Sequence, residues 1–474
     1  MTYNNFFKLS EAQLDIFYDQ LNSLDSPMYN VGGYLEMPDS SEYSLFKGAL
    51  SEVIEYFDVC HVKITQHEGE VVQYVDRTNP CEIVLIDFTE KGSIEEAKKL
   101  AFEYVDRRMA TPFSMIESNL VELGIIKLPE GQFVPFARCH HVLIDGVGFA
   151  NLIDNISKVY NDQKDKLSDP DFRKAIELDN VSVREKTKDY WKALMGDFSS
   201  ERIKTSSNWE ADSVVSDISQ KAFDFFSTKN NSFATDLLTY YSGAAAWVMA
   251  NVFDKKQICL ALPSHRRRSK ATKDLIAHYA SVSPMLYRFD GDVSVSGYIN
   301  RINQQLKESY RHIGITSSQI SSILNKDRYS GIYDIVFNYS KIAMDKVFGD
   351  DIACAVLRMP KATSAPLRFV LQEYGPTNIK IELAYEKDIF SESQAKAVLK
   401  SINKIVESFI ISTEENVRNI ACFRPQEKTH IVSASLPYRE LISKSLTGSG
   451  SDIALCLKND SYSYKELREM VNSQ

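Results

Sequence analysis

The residues best suited to chemistry lie together in Cys139-His140-His141-Val142-Leu143-Ile144-Asp145-Gly146-Val147-Gly148. A neutral imidazole facing a cleft can take a proton from an amine near neutral pH. A backbone N–H beside it can stabilise a developing oxyanion, and a glycine such as Gly146 lets the chain approach a substrate closely. Only one of two adjacent histidines in an extended segment faces a given side. One can therefore serve the cleft while the other turns inward. Asp145 can cap the helix that follows, or fix the loop through an arginine. The plainer reading of the same residues is a core histidine pair with an N-cap aspartate. Cys139 brings a thiol nucleophile into view, but adjacent strand residues face opposite ways, so a buried thiol is the expectation.

The flanking residues name the elements that must position this stretch. Gly131 to Arg138 reads as a strand, with Phe133, Val134, Phe136 and Ala137 apolar and Pro135 pointing to an edge or a bulge. Phe149, Leu152, Ile153, Ile156, Val159 and Tyr160 recur at helical spacing. The histidines thus sit at a strand end, with Asp145 and Gly146 in the loop that opens a helix. Upstream, Ser10 to Gln13 opens a helix with a capping-box pattern. Glu82–Asp87 reads as a strand and Ser93–Val105 as a capped amphipathic helix. Residues 161–170 are polar and read as a loop. Thr235–Asn251 reads as a buried helix leading to a strand at Gln257–Leu262, then a dense basic loop, His265 to Lys270. A helix over about 295–311 leaves His312 at its end. Alternating strands follow at Tyr333–Tyr339 and Ile379–Tyr385, and a last long helix runs from Ser391 to about Ile411.

Composition narrows the class. The 474 residues suffice for two or three domains. The net charge of -9 argues against bulk attraction to nucleic acid. No run of about 18 apolar residues is present, which argues against a membrane helix, and the N-terminus has no secretory pattern. Seven cysteines are scattered without Cys-x-x-Cys spacing, as expected of reduced thiols in the cytoplasm and not of a structural zinc or other metal site.

His-His-x-x-x-Asp-Gly at 140–146 resembles the signature of condensation domains of nonribosomal peptide synthetases. The shorter His-x-x-x-Asp-Gly form of the wider CoA-dependent acyltransferases is matched by His141 to Gly146. Other segments are similar to the same family's motifs. Ser10-Glu-Ala-Gln13 resembles its Ser-x-Ala-Gln core and departs at Asp15. Tyr190-Trp191 is similar to a segment before the second half, and Phe337-Asn338-Tyr339 to a strand lining the cleft. The family's Arg-His-Glu-x-Leu-Arg motif has no good match; Glu55 to Val62 stands in its place, with His61 read as a strand or surface histidine. Where the family carries Gly-x-Phe-Val-Asn-Thr, this chain has Ala277-His-Tyr-Ala-Ser-Val282. Ser281 replaces the asparagine, and His278 is an added titratable group. Ile453–Leu457 and Tyr462–Leu467 resemble the opening of an adenylation domain.

The resemblance implies an α/β fold of two chloramphenicol-acetyltransferase-like lobes in a V-shaped pseudo-dimer with a tunnel between them. Each lobe is expected to be a mixed sheet with helices on one face. The implied parts are residues 1–178 and 179–424 for the lobes, 425–440 for a linker and 441–474 for the truncated start of an adenylation domain. A segment of the C-terminal lobe is expected to cross back over the first. The implied activity is amide-bond formation between a carrier-bound acyl or peptidyl thioester and a carrier-bound aminoacyl acceptor. In it His141 positions or deprotonates the acceptor amine, and the Gly146 N–H supports the oxyanion. Asp145 pairs with Arg267, His140 lies behind the loop, and Ser281, Asn338 and His278 line the cleft. No cofactor is bound by the domain itself; substrates arrive on the 4'-phosphopantetheine arms of carrier proteins. Implied partners are an upstream donor carrier and downstream adenylation and carrier domains in cis, in the cytoplasm, with neither nucleic acid nor membrane. If Met1 is the native start, the donor comes in trans. An epimerisation domain, a CoA-type acyltransferase and a non-catalytic recruitment platform are the alternatives.

Overall fold

The computed structural model describes residues 6–179, 183–198, 203, 210–229, 232–267, 269–289, 291–324, 332–341, 344–375, 377–420, 453–457 and 460–463. The chain opens with β1 (Phe7–Lys8) and α1 (Glu11–Leu21), whose Ser10 and Gln13 form the expected capping box. β2 (Asn30–Glu36), α2 (Tyr43–Tyr56), β3 (Val62–His67), β4 (Glu70–Val75), β5 (Ile83–Asp87) and α3 (Ile94–Met109) follow. β6 (Val121–Lys127), β7 (Phe133–His140) and α4 (Gly146–Tyr160) bring the chain through the His-His stretch. α5 (Phe172–Asp179) and α6 (Glu185–Met195) lead into the second half.

That half runs β8 (Ala211–Asp217), α7 (Gln220–Ser227), α8 (Phe233–Val252), β9 (Gln257–Ser264), α9 (Lys270–Lys273) and β10 (Ser281–Arg288). It continues with α10 (Val295–Arg311), α11 (Ser317–Ile323), β11 (Ile335–Ser340), β12 (Lys346–Phe348) and β13 (Asp351–Leu357). β14 (Leu367–Gly375), β15 (Asn378–Glu386) and α12 (Glu392–Ile411) complete it.

Two six-stranded mixed sheets organise these elements. One has the order β12-β13-β2-β7-β6-β5 and the other β10-β9-β11-β14-β15-β8; β1, β4 and β3 form a small third sheet. β12 and β13 belong in sequence to the second half, yet β13 pairs antiparallel with β2 and so completes the first sheet. Helices α8, α10 and α12 lie against one face of the second sheet. The first sheet differs from the expectation of helices on one face only. Phe133 and Cys139 share a core with α2 and α4. Val134 and Phe136 turn to the opposite core, where Ala97, Ala101, Val105 and Met109 of α3 cover them. A fully buried strand has apolar residues on both faces, and β7 does.

Pro135 also departs from its reading. β7 is a central strand, paired with β6 through Ile125 and Pro135. The β2 ladder ends at Tyr34 and Phe136, so the proline stands where β7 has lost its partner on that side and no ladder donor is missing.

Residues 1–200 and 205–429 form one compact unit; a second comprises 201–204 and 430–474. In that second unit the backbone forms an antiparallel pair, β16 (Ile453–Leu457) with β17 (Asp460–Ser463). The expected linker at 425–440 and the rest of 441–474 lie outside the described residues.

Candidate active site

The His-His stretch is held by backbone contacts from three directions. The His140 N–H donates to Leu120 O and the His141 N–H to Tyr29 O, both at 2.8 Å. The chain then turns, with Leu143 N–H donating to His140 O at 3.0 Å. Gln13 of the capping box reaches in and donates Nε2–H to Val142 O at 3.0 Å, while pairing with Gln73 through both amides. The Ser-x-Ala-Gln segment thus fixes the loop from another element.

The two histidines have opposite environments. His140 is 1% exposed. Its Nδ1 accepts from Val142 N–H at 3.1 Å, and its Nε2 lies 3.2 Å from Gln20 Oε1. An amide oxygen only accepts, so Nε2 carries the proton and the ring is neutral. Burial, with His141 and Arg138 nearby, depresses its pKa to about 3.

His141 is partly open to solvent. Its Nδ1 lies 3.1 Å from Nδ1 of His278, a residue of the second half, with the rings edge-on. Nε2 makes no described hydrogen bond and is the ring nitrogen left for a substrate. Burial lowers the His141 pKa; the Asp145 charge opposes this, and the Arg368 charge adds to it. His278 is buried, and burial followed by His141 drives its pKa well down.

Asp145 caps α4, accepting from Gly148 N–H at 2.8 Å. Its other oxygen accepts from Arg267 Nη1 at 2.6 Å and from Tyr279 N–H at 2.9 Å. Both side chains of the ion pair are 2% exposed. Burial alone would raise the carboxyl pKa, but Arg267, His278 and the amide contact outweigh it and hold it at about 2. Arg267 also donates to Ala277 O at 2.8 Å and Leu275 O at 3.3 Å. The two alternatives for Asp145, helix cap and arginine partner, are therefore both realised, by different oxygens. Gly146 is the first residue of α4, where amide N–H groups have no acceptor within the helix.

The remaining expected residues divide. Ser281 Oγ donates to Ile315 O at 3.0 Å and makes no described contact with the His-His stretch. Asn338 is half-buried on β11, on the same face as Val336. The basic loop is partly turned inward. Arg266 turns in to pair with Asp179 at 2.7 Å and to donate to Tyr279 O at 2.9 Å. Arg268 lies outside the described residues. His61 is buried, with Nε2 2.7 Å from Ile54 O, and is neither a surface nor a strand residue. His312 caps the C-terminal end of α10, stacked on Tyr190. Cys139 is fully buried, and burial raises its thiol pKa. Among the described residues no group of three or more His, Cys, Asp or Glu could hold a metal ion, and no helix is long and apolar enough to cross a membrane.

One participant, Tyr29, had no sequence signal. Tyr29, whose hydroxyl donates to Asp19 Oδ2 at 2.6 Å, stands edge-on to His141. Asp15, the departure in the first motif, accepts from Ser318 N–H at 3.3 Å and from the Ser318 and Thr316 hydroxyls. It joins α1 to the start of α11.

A family profile described as "Condensation domain" matches residues 3–432. The Bacillus subtilis dimodular nonribosomal peptide synthase is 20% identical over 501 residues, covering 98% of this chain and 20% of its own length. Surfactin synthase subunit 1 of the same organism is 18% identical, covering 98% of this chain and 14% of its own. The chain thus spans a fifth or less of these relatives. Among solved structures, a variant of the starter condensation domain of rhizomide synthetase, in complex with C8-CoA, superposes with a TM-score of 0.74 at 17% identity, covering 88% of this chain and 98% of the other. The first condensation domain of the calcium-dependent antibiotic synthetase gives 0.71 at 13%, covering 88% and 99%. These likenesses show the fold, two chloramphenicol-acetyltransferase-like lobes.

Proposed function

The chain belongs to the condensation-domain family, and from that premise we propose that it joins an acyl or peptidyl thioester to the amine of an aminoacyl thioester, each carried on a phosphopantetheine arm. The observation that carries the reading is His141, partly open to solvent at the end of β7 with its Nδ1 3.1 Å from His278 Nδ1, so that Nε2 is the nitrogen left to meet the amine.

The amine nitrogen attacks the donor carbonyl, the C–S bond breaks, and the arm leaves as a thiol. The proton lost by the amine passes to the departing sulfur. His141 Nε2 accepts a hydrogen bond from the amine and directs its lone pair at the carbonyl, and it can carry the proton onward. The Gly146 N–H, at the positive end of α4, stabilises the oxyanion. Much of the acceleration comes from aligning two tethered reactants. Asp145 stays ionised and works through Arg267, holding the loop. His140 supports the turn. His278 and Asn338 line the cleft, and Ser281 supports the start of β10.

A second reading takes the donor from CoA. It is favoured by the likeness to a starter condensation domain seen with C8-CoA, and CoA ends in the same phosphopantetheine thiol. Residues 441–474 fit the start of an adenylation domain. The match to the dimodular synthase supports this by running past residue 432. On the carrier-bound reading the partners are a donor carrier and downstream adenylation and carrier domains.

Intact-protein mass spectrometry tests the proposal. An aminoacyl-loaded acceptor carrier is mixed with the chain and with either acyl-loaded donor carrier or acyl-CoA. We expect acyl mass on the acceptor carrier, reduced by about 100-fold or more in His141→Ala. Transfer from CoA alone selects the second reading. Transfer undiminished in His141→Ala removes His141 from its role. Exchange at the α-carbon without transfer indicates epimerisation, and binding without either reaction indicates a recruitment platform.

A further inference from the structure

Arg368 of β14 lies opposite Val336 of β11 and Ala384 of β15. Strand alternation sends Leu367, Phe369 and Leu371 to the helix-covered face, where all three are fully buried. Arg368 points the other way, onto the face that carries Val336 and Ala261. Its charge reaches His141 of the first lobe. Like His141, it is partly open to solvent, although its Nε is wholly enclosed. Side chains with both properties line an interior cleft.

The guanidinium is poorly satisfied. Nε is wholly enclosed and has no hydrogen-bond partner among the described residues. Nη2 meets Met359 Sδ at 3.7 Å, a weak acceptor. The carboxylate whose field reaches it is Glu382 of β15, directly opposite Val370 and so diagonal to Arg368, and the two form no described ion pair. Arginine does not shed its proton in a protein, so the site holds a permanent charge with unused donors. An enclosed donor without a partner is costly, and a planar fork of donors matches a carboxylate two-to-two.

We infer that Arg368 anchors a carboxylate carried by one of the two substrates, either on the donor acyl chain or on the acceptor side chain, and that the site thereby selects an acidic substrate. The phosphate of a phosphopantetheine arm is the other anion at hand. It lies at the opposite end of the arm from the thioester, so it cannot stand beside Arg368 while the thioester stands at His141. The inference rests on the proposed function for the identity of the reacting groups.

Calorimetric binding to the whole chain tests it, using unreactive N-acetylcysteamine amides in matched pairs. The donor pair is glutaryl and its terminal carboxamide; the acceptor pair is glutamyl and glutaminyl. Expected is binding of one carboxylate about tenfold or more tighter than its carboxamide, the value of a charge-assisted hydrogen bond. The pair showing the preference identifies the source. Arg368→Gln should abolish the preference and leave carboxamide binding unchanged. Equal affinities within both pairs, no binding of any probe at millimolar concentration, or a preference that survives Arg368→Gln would each overturn the inference. So would a preference that emerges only in Glu382→Gln, because the arginine would then be occupied by Glu382 in the native protein. Binding does not require transfer, so a retained preference with failed amide formation would count against the proposed reaction alone.

Discussion

His140 and His141 are neighbours in sequence, and burial separates their chemistry. His140 is enclosed between an amide N–H and the Gln20 carbonyl oxygen and is held neutral, with a pKa near 3. An unfolded histidine titrates near about 6.5. Between these values the unfolded chain binds a proton that the native chain does not, so stability rises with pH across that window and is complete above it. His61, His141 and His278 are also depressed by burial and act with the same sign. Urea unfolding between pH 6.5 and 4.5 should therefore show falling stability as the solution is acidified. His140→Gln should reduce the slope by up to about 1.4 kcal/mol per pH unit, one proton's share. An unchanged slope would mean that His140 is protonated in the native state.

α4 shows how an element is placed as well as formed. Its apolar stripe forms the helix and Asp145 caps it, but Gly148 decides how closely it approaches the second half. A Cβ at Gly148 would fall 2.7 Å from Ala277 O and 3.1 Å from Ala277 N. Helix propensity alone predicts that Gly148→Ala stabilises the protein by up to about 1 kcal/mol. The clash wins, because both contacts are with backbone that also holds Arg267 and Asp145. Gly148→Ala should lose about 1–3 kcal/mol in thermal or urea unfolding and should lower transfer. A gain in stability would show that the two segments can separate without cost. The helix itself was legible from its periodicity. The close approach was not, because Gly148 reads as a helix residue until its neighbour is known.

The two lobes are interdependent across the whole molecule. β13 lies on β2. Leu275, Ile276, Ala277 and Tyr279 belong to the core of the first lobe. His141–His278 and Asp15–Ser318 bridge the halves. A fragment of residues 1–178 would contain the whole His-His stretch yet leave the β2 edge unpaired and the Asp145 carboxylate buried without Arg267. Exposed edges invite association, and a broken buried ion pair is strongly destabilising. Size-exclusion chromatography with circular dichroism should find this fragment associated or unfolded. The intact chain should remain monomeric at the same concentration. A folded monomeric fragment would show that the lobe is autonomous.

The sequence by itself determined the elements around the site, the capping box at Ser10 and the helix after Asp145, because cap chemistry and periodicity act within a few residues. It also determined the family, through a motif whose spacing is local. Only the tertiary structure decided that Asp145 serves a cap and an arginine at once, that Gln13 holds Val142, that Arg266 is consumed by Asp179, and that His278 meets His141. Each joins residues separated by scores of positions. Such pairs leave no periodic trace in sequence. Their partners are chosen by how two sheets and their connections pack together, and that choice is made by burial across the whole chain.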